Sequence, residues 1–181
     1  MRYLLLAMWV GWLAYWAIAA RGAKRAQWRE PLRAQWLHTA LVWLGMIILV
    51  VPRAPPAILA APFLPPSAIG APLGLTLTAL GLGIAIAAGN WSAAIEIKDG
   101  HAPIRSGPYR YVRHPIYSGL LLALLGTAIA LDRWRALLLA FVLIFAALLL
   151  KSRHEEKGLC RALPGYATYA RETAALIPFL L

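Results

Sequence analysis

The chain has 181 residues, enough for one domain, and 61% of them are hydrophobic while only 14% are charged. Soluble domains are roughly 45–50% apolar, so this composition excludes an ordinary soluble protein and predicts an integral membrane protein. The net charge of +11 is spread over short segments between apolar runs, which indicates membrane topology signals and not a nucleic-acid-binding face. The single cysteine, Cys160, excludes an intramolecular disulfide, and no Cys/His spacing indicates a metal site.

The first apolar run covers residues 3–20 and is close to the roughly 20 residues that cross a bilayer. Five basic residues follow the run within 21–33, whereas a signal peptide carries its positive charge before the run, so we interpret it as a retained span. A second apolar run at 36–51 contains His38. The proline-rich segment at 53–72 cannot continue a helix and is predicted to be a loop on the outer face.

Three further spans are predicted at 73–94, 116–131 and 136–150. The first of these is rich in glycine and alanine, which favours close contact with another helix. The alternative is that a ligand approaches the backbone at Gly81 and Gly83. The short connection after residue 131 makes the last two spans an antiparallel hairpin.

The segments outside these spans carry most of the polar residues. Lys98-Asp99-Gly100 is typical of a turn between short extended pieces. After residue 150 the last span continues as a helix until Pro164-Gly165 stops it. The apolar tail at 176–181 is too short to span the bilayer and is predicted to lie on the membrane.

The positive-inside rule orients the chain. Five Lys and Arg lie in 21–36, four in 95–114 and five after residue 150, against four in the remaining segments. This bias predicts five spans with the N-terminus outside and the C-terminus in the cytoplasm. The composition, heavy in Ala, Arg and Pro, indicates a bacterial source and hence a bacterial inner membrane.

The segment 107–119 concentrates arginine, histidine and tyrosine directly before a span. The hairpin brings it close to the end of the fifth span, where Lys151 and Glu155 share one helix face. Glu156 is rotated by about 100° from Glu155 around the helix, so only one of the two can easily face a ligand bound by the segment 107–119. We expect that residue to be Glu155. Taken singly, the arginine is more often a snorkelling cation and the tyrosines are more often interfacial anchors.

Taken in order, these motifs resemble the isoprenylcysteine carboxyl methyltransferase family and its phospholipid N-methyltransferase relatives, over about residues 81–178. The first seventy residues carry no motif of this family. The resemblance rests on Gly81-x-Gly83, Asn90-Trp91-Ser92, Gly100-His101, Ser106-Gly107-Pro108-Tyr109, Arg113-His114-Pro115-x-Tyr117-x-Gly119, Glu155-Glu156-x-x-Leu159, Gly165-Tyr166-x-x-Tyr169 and Ile177-Pro178.

The resemblance implies a single all-α domain over 1–181 with five transmembrane helices, a cytoplasmic cofactor-binding cap and a C-terminal helix. It implies an enzyme that uses S-adenosylmethionine to methylate a lipophilic or lipidated substrate reaching it from the bilayer. The implied catalytic residues are Lys151, Glu155 and His114. The implied cofactor-binding residues are Gly81, Gly83, His101, Ala102, Pro103, Ile104, Tyr109, Arg113, His114, Pro115, Ile116, Tyr117, Glu155 and Glu156.

The methyl acceptor stays open between a carboxylate and an amine. In the family an arginine near the substrate carboxylate occupies the position of Lys151, which keeps the charge but loses the bidentate fork. A carboxylate is already ionised, whereas an amine needs a base such as His114 or Glu156. Two other classes remain: an NADPH-dependent sterol-type reductase with a related Arg-His-Pro-x-Tyr segment, and a haem or scaffold protein using His38, His101, His114 or His154.

Overall fold

A computed structural model describes residues 1–22, 32–50, 69–99, 103–132 and 134–178. Within these ranges the chain is helical and contains no strand, which confirms the all-α prediction. The nearest approach to a sheet is one isolated parallel bridge between Val112 and Ala174. The helices are α1 (Arg2–Gly22), α2 (Leu32–Val50), α3 (Gly70–Asp99), a short 3-10 helix (Gly107–Arg110), α4 (Pro115–Leu131), α5 (Trp134–Ala162) and α6 (Tyr166–Glu172).

Each of the five apolar runs lies in one of the helices α1 to α5, apart from residue 51, which lies outside the described residues. The predicted turn at Lys98 and Asp99 is wrong, because α3 continues to Asp99. Residues 93–99 contain neither proline nor glycine, so nothing breaks the helix before Gly100. The predicted stop after α5 is confirmed, since Gly165 has a left-handed φ of 80°.

Two helices of the described ranges are long and apolar enough to cross a bilayer, Arg2–Arg21 and Gly70–Asn90. Gln35–Ile48 and Pro115–Leu131 are apolar but shorter. The five-span topology therefore stays a prediction, and residues 53–68 of the predicted outer loop lie outside the described part of the chain.

The tightest helix contact joins α3 to α4 through glycines on both sides. A Cβ on Gly81 would lie 2.4 Å from the backbone N of Ala123 and 2.5 Å from the carbonyl O of Gly119. A Cβ on Gly126 would lie 2.4 Å from the backbone N of Thr78. Backbone therefore touches backbone, as in other helix pairs with small residues at the contact. The predicted smooth face of the third span is confirmed.

The other helices surround this pair. On α2, a Cβ at Gly45 would lie 2.6 Å from the side chain of Ile144, so α2 packs closely on α5. On α1, Trp9 Nε1 donates to Thr127 Oγ1 at 3.0 Å, and a Cβ at Gly89 would lie 2.6 Å from the ring of Trp16. Trp9 lies beside Thr127 and Trp16 beside Gly89, so α1 is parallel to α3 and antiparallel to α4. Helix α5 is antiparallel to α4, because Glu155 meets Tyr117, and antiparallel to α2, because His38 and Lys151 line the same cavity while Gly45 lies at Ile144. Consecutive helices thus alternate in direction.

Candidate active site

The backbone of Arg113 and His114 is held by the C-terminal segment. The N–H of Arg113 donates to the carbonyl of Ala174 at 2.8 Å, and that of His114 donates to the carbonyl of Ala175 at 3.0 Å. Leu176 is 1% exposed, and its carbonyl accepts a hydrogen bond from Ser118. The prediction that the apolar tail lies on the membrane is therefore wrong at Leu176, because this side chain is buried in the protein. Residues 179–181 of that tail lie outside the described part of the chain.

The Arg113 guanidinium ties three parts of the chain together. Its Nε donates to Glu156 Oε1 at 2.6 Å, and one terminal nitrogen donates to the carbonyl of Ala170 at 2.7 Å and to that of Thr173. The Arg113 side chain is only 11% exposed. The structure thus gives this arginine a structural contact between α5 and the segment after α6, and its contact with a cofactor stays a prediction.

Glu156 is the carboxylate that accepts the hydrogen bond from Arg113. Burial raises the pKa of Glu156, but hydrogen bonds from His114 and Arg113, together with their charges, outweigh it and lower the pKa from its ordinary value of 4.5. Glu156 is therefore ionised at neutral pH and paired on the inner side of the site.

The His114 ring lies between the two glutamates. Its Nε2 lies 3.2 Å from Glu156 Oε1, and its Nδ1 lies 3.5 Å from Glu155 Oε2. The imidazole stacks on the Tyr117 ring with centroids 5.3 Å apart and an interplanar angle of 6°. Although the two glutamates point in different directions, a single buried imidazole reaches both. These contacts fix its orientation.

Glu155 forms the outer side of the site. Tyr117 Oη donates to both carboxylate oxygens, at 2.8 and 2.9 Å, and Lys151 Nζ lies 3.8 Å away. The Lys151 ammonium also lies 5.4 Å from the centroid of the Tyr117 ring. The Glu155 side chain remains 32% exposed, so its carboxylate can still meet a ligand.

Tyrosines connect α6 to the 3-10 helix and the 3-10 helix to α3. Tyr169 on α6 donates from its hydroxyl to the carbonyl of Tyr109 at 2.7 Å, and the Tyr109 hydroxyl donates to the carbonyl of Ala88 on α3 at 3.4 Å. Burial raises the pKa of Tyr169 to about 12, so its hydroxyl stays a neutral donor at physiological pH. On the surface, Arg105 and Glu172 form an exposed ion pair at 2.8 Å.

The remaining predicted cofactor residues are distributed around this centre. Pro115 is fully buried at the first position of α4, as predicted, and Ile116 lines a neighbouring cavity. Gly81 lies in the contact with α4, whereas Gly83 has open space where a side chain would be, so only Gly83 leaves room beside the backbone. Pro103 and Ile104 are half-buried, and His101 and Ala102 lie outside the described residues.

The cavity has a volume of about 420 Å³ and lies between α1, α2, α4 and α5. Tyr117 and Lys151 belong to its wall, which connects it to the outer side of the site. The contributions of α1 and α2 to this wall were not predicted, because those helices carry no motif. The lining residues are Trp12, Trp16, His38, Thr39, Val42, Ile116, Tyr117, Leu120, Ala147, Leu148 and Lys151.

Comparisons with known proteins bear on this arrangement. Residues 74–161 match the family model described as the isoprenylcysteine carboxyl methyltransferase (ICMT) family. The chain is also 38% identical over 113 residues to the cobalt-zinc-cadmium resistance protein CzcN of Cupriavidus metallidurans. That match covers 60% of this chain and 51% of the relative, so the chain spans about half the length of the curated relative it matches.

The matched residues 74–161 include both glutamates, Lys151 and the Arg113-His114 segment with Tyr117. The resemblance inferred from the sequence motifs is therefore confirmed. The segment of this chain that carries the candidate site thus matches the model of the isoprenylcysteine carboxyl methyltransferase family.

Proposed function

We propose that the chain is an integral membrane enzyme that transfers a methyl group from S-adenosylmethionine to a carboxylate of a lipophilic substrate. The observation that carries the proposal is Glu155, a partly exposed carboxylate fixed by Tyr117 at the edge of a cavity between the helices. Membership of residues 74–161 in a methyltransferase family supports the reaction class.

The donors and acceptors of the site fit this cofactor, which supplies a methyl group on a positively charged sulfonium when it is bound. The Glu155 carboxylate would accept hydrogen bonds from the cofactor's ammonium group, and the hydroxyl on the Tyr117 ring holds that carboxylate in place. His114 stacks on that ring and keeps it in place. Methyl transfer is an in-line displacement, so alignment and exclusion of water are what these residues contribute.

Lys151 favours a carboxylate acceptor over an amine. Lys151 lines the cavity and its ammonium lies 3.8 Å from Glu155, so its charge would attract an anionic headgroup in the cavity and repel a protonated amine. A carboxylate nucleophile needs no base. The amine alternative requires His114 or Glu156 to remove a proton, although the two side chains are already engaged with each other, with His114 Nε2 3.2 Å from Glu156 Oε1.

Calorimetric titration of S-adenosylmethionine into the purified chain tests the cofactor assignment. We expect binding by the parent protein and its loss in Glu155→Ala and His114→Ala, because each variant removes a side chain from the proposed cofactor wall. Glu172→Ala, which removes an exposed carboxylate outside the cavity wall, is the matched control and is expected to bind normally.

Thermal unfolding of each variant shows whether the fold is intact. A parent protein that does not bind S-adenosylmethionine would refute the proposal, as would two site variants that bind as tightly as the parent. NADPH titrated into the same samples tests the reductase alternative, which predicts binding of that nucleotide instead.

We also propose five spans with the N-terminus outside and the C-terminus in the cytoplasm of a bacterial cell. The alternating helix directions and the charge bias support this orientation. The single, exposed Cys160 near the end of α5 makes it testable with a membrane-impermeant maleimide. We expect labelling of lysed cells but not of intact cells expressing the chain, and equal labelling of both would reverse the orientation.

A further inference from the structure

His38 is an ionisable residue of α2 that lies inside the helix bundle. It is only 7% exposed and belongs to the wall of the cavity beside the candidate site. Ionisable side chains within the apolar helices of membrane proteins are rare, and those that face the bundle interior mark functional sites. The segment that matches the family model begins at residue 74, so His38 lies outside it. None of the motifs of the candidate site therefore accounts for this histidine.

The register of α2 against α5 places His38 opposite Lys151. Gly45 of α2 touches Ile144 of α5, and the two helices are antiparallel. His38 precedes Gly45 by seven residues, and Lys151 follows Ile144 by seven residues. Seven residues make almost two turns, so His38 and Lys151 lie at one level and on the faces through which the two helices touch. Both residues line the cavity, as this register requires.

The cavity has a polar layer and an apolar layer. The polar layer contains His38, Lys151 and Tyr117, and the Lys151 ammonium lies 5.4 Å from the centroid of the Tyr117 ring. One helix turn further from the candidate site, the wall is formed by the apolar side chains Val42, Leu120 and Leu148. The volume of about 420 Å³ falls within the range of small-molecule pockets, roughly 300–1,000 Å³. An amphiphile with its headgroup in the polar layer would therefore have its chain beside apolar side chains.

We infer that His38 is a binding residue for the methyl acceptor, whose carboxylate it holds together with Lys151. The polar layer offers one donor for each carboxylate oxygen, the imidazole N–H and the Lys151 ammonium. A carboxylate has about four acceptor sites, so two donors leave a lone pair for the methyl group. An imidazole has nitrogens on two edges, and it can contact a protein group through one and a ligand through the other.

This inference rests on the proposed function and specifies how the acceptor lies in the cavity. The carboxylate is bound between α2 and α5, and the chain runs away from Glu155 along the apolar layer. Cofactor binding is thereby assigned to α4 and α5, and acceptor binding to α5 and α2.

Binding of two probes to the full chain in lipid nanodiscs tests this inference. The first probe is dodecanoate labelled with 13C at its carboxyl carbon. The second is dodecane labelled at its methyl carbons, which fills an apolar cavity but accepts no hydrogen bond. The NMR signals of the probes report binding, and nanodiscs without the protein give the signals of probe dissolved in lipid. We expect the parent chain to bind both probes.

Three variants of α2 separate binding from packing. His38→Leu removes the donor and keeps an apolar side chain, so we expect it to weaken dodecanoate binding at least about tenfold and to leave dodecane binding unchanged. His38→Gln retains an N–H donor and should bind dodecanoate within about threefold of the parent. Trp43→Leu is the matched control, since Trp43 is 60% exposed and lies outside the cavity wall. It should bind both probes like the parent.

Three results would each overturn the inference. The first is a parent chain that does not bind dodecanoate. The second is a His38→Leu variant that binds dodecanoate as tightly as Trp43→Leu does. The third is a His38→Leu variant that loses both probes to the same extent, because this histidine would then only shape the cavity.

S-adenosylmethionine titrated into the same samples separates this inference from the proposed function. His38 lies outside the proposed cofactor wall, so the cofactor should bind to the parent and to all three variants with the same affinity. A parent chain that binds dodecanoate through His38 but not S-adenosylmethionine would refute the methyltransferase assignment and keep the carboxylate site. Normal cofactor binding, with dodecanoate bound equally by His38→Leu and the control, would refute the role of His38 alone.

Discussion

Glu155 and Glu156 are adjacent in sequence but lie in contrasting environments. Glu156 is enclosed by Arg113 and His114 and connects α5 to the C-terminal segment. Glu155 accepts from Tyr117, lies near Lys151 and stays about one-third exposed beside the cavity. The difference shows that two adjacent carboxylates can have separate roles: Glu156 stabilises the site, and Glu155 remains available to a ligand.

Removing the arginine on the Glu156 side should produce the largest effect on stability. Arg113→Ala leaves a mostly buried carboxylate and two backbone carbonyls without their donor, so we expect the free energy of unfolding to fall by about 3 kcal/mol. Thermal unfolding in detergent measures the loss. Arg113→Lys should be intermediate, because it keeps the charge but not the fork.

Tyr117→Phe is the control for this experiment, since it removes one hydrogen bond on the Glu155 side and should change stability by about 1 kcal/mol or less. If Arg113→Ala unfolds like the parent, or if Tyr117→Phe is equally damaging, the contrast between the two carboxylates disappears.

The pH dependence of stability should show a smaller effect of the same contrast. The pKa of Glu156 is lower in the folded state than its ordinary 4.5, so the unfolded state binds the proton more readily. This contribution is present above the unfolded pKa and is lost as the pH falls through the folded pKa. We expect the unfolding temperature to drop below about pH 5, and to drop less steeply in Glu156→Gln.

Unfolding scans across this pH range, with Glu155→Gln as the matched variant, provide the measurement. A parent slope that Glu156→Gln leaves unchanged would show that another group controls acid stability.

Local patterns in the sequence predicted much of this architecture. Apolar runs of span length located the helices, and the short link after residue 131 predicted that Tyr117 and Glu155 would meet. The Gly-rich face of α3 predicted close packing, because a face without side chains lets the backbone of any neighbouring helix come near. These features depend on residues near each other in the chain.

Features that depend on distant parts of the chain were not predicted. The donors of Arg113 reach the carbonyls of Ala170 and Thr173, and any residue can offer a backbone carbonyl in this way without a sequence signal. Leu176 resembled a lipid-facing residue because its burial depends on a cleft that other segments form. The indole N–H groups of Trp12 and Trp16 are buried without a hydrogen-bond acceptor among the described residues, which depends on every group that surrounds them and therefore leaves no local sequence signal.

The glycine contact between α3 and α4 has a mechanical consequence for the site. The backbones of α3 and α4 touch at Gly81 and Gly119. The position of the start of α4 is therefore fixed by its contact with α3. Helices respond to changes in bilayer thickness by tilting or kinking. α1 is exposed along most of its length and would take up such strain first. The stacked rings of His114 and Tyr117, at the start of α4, are thereby less affected by changes in bilayer thickness.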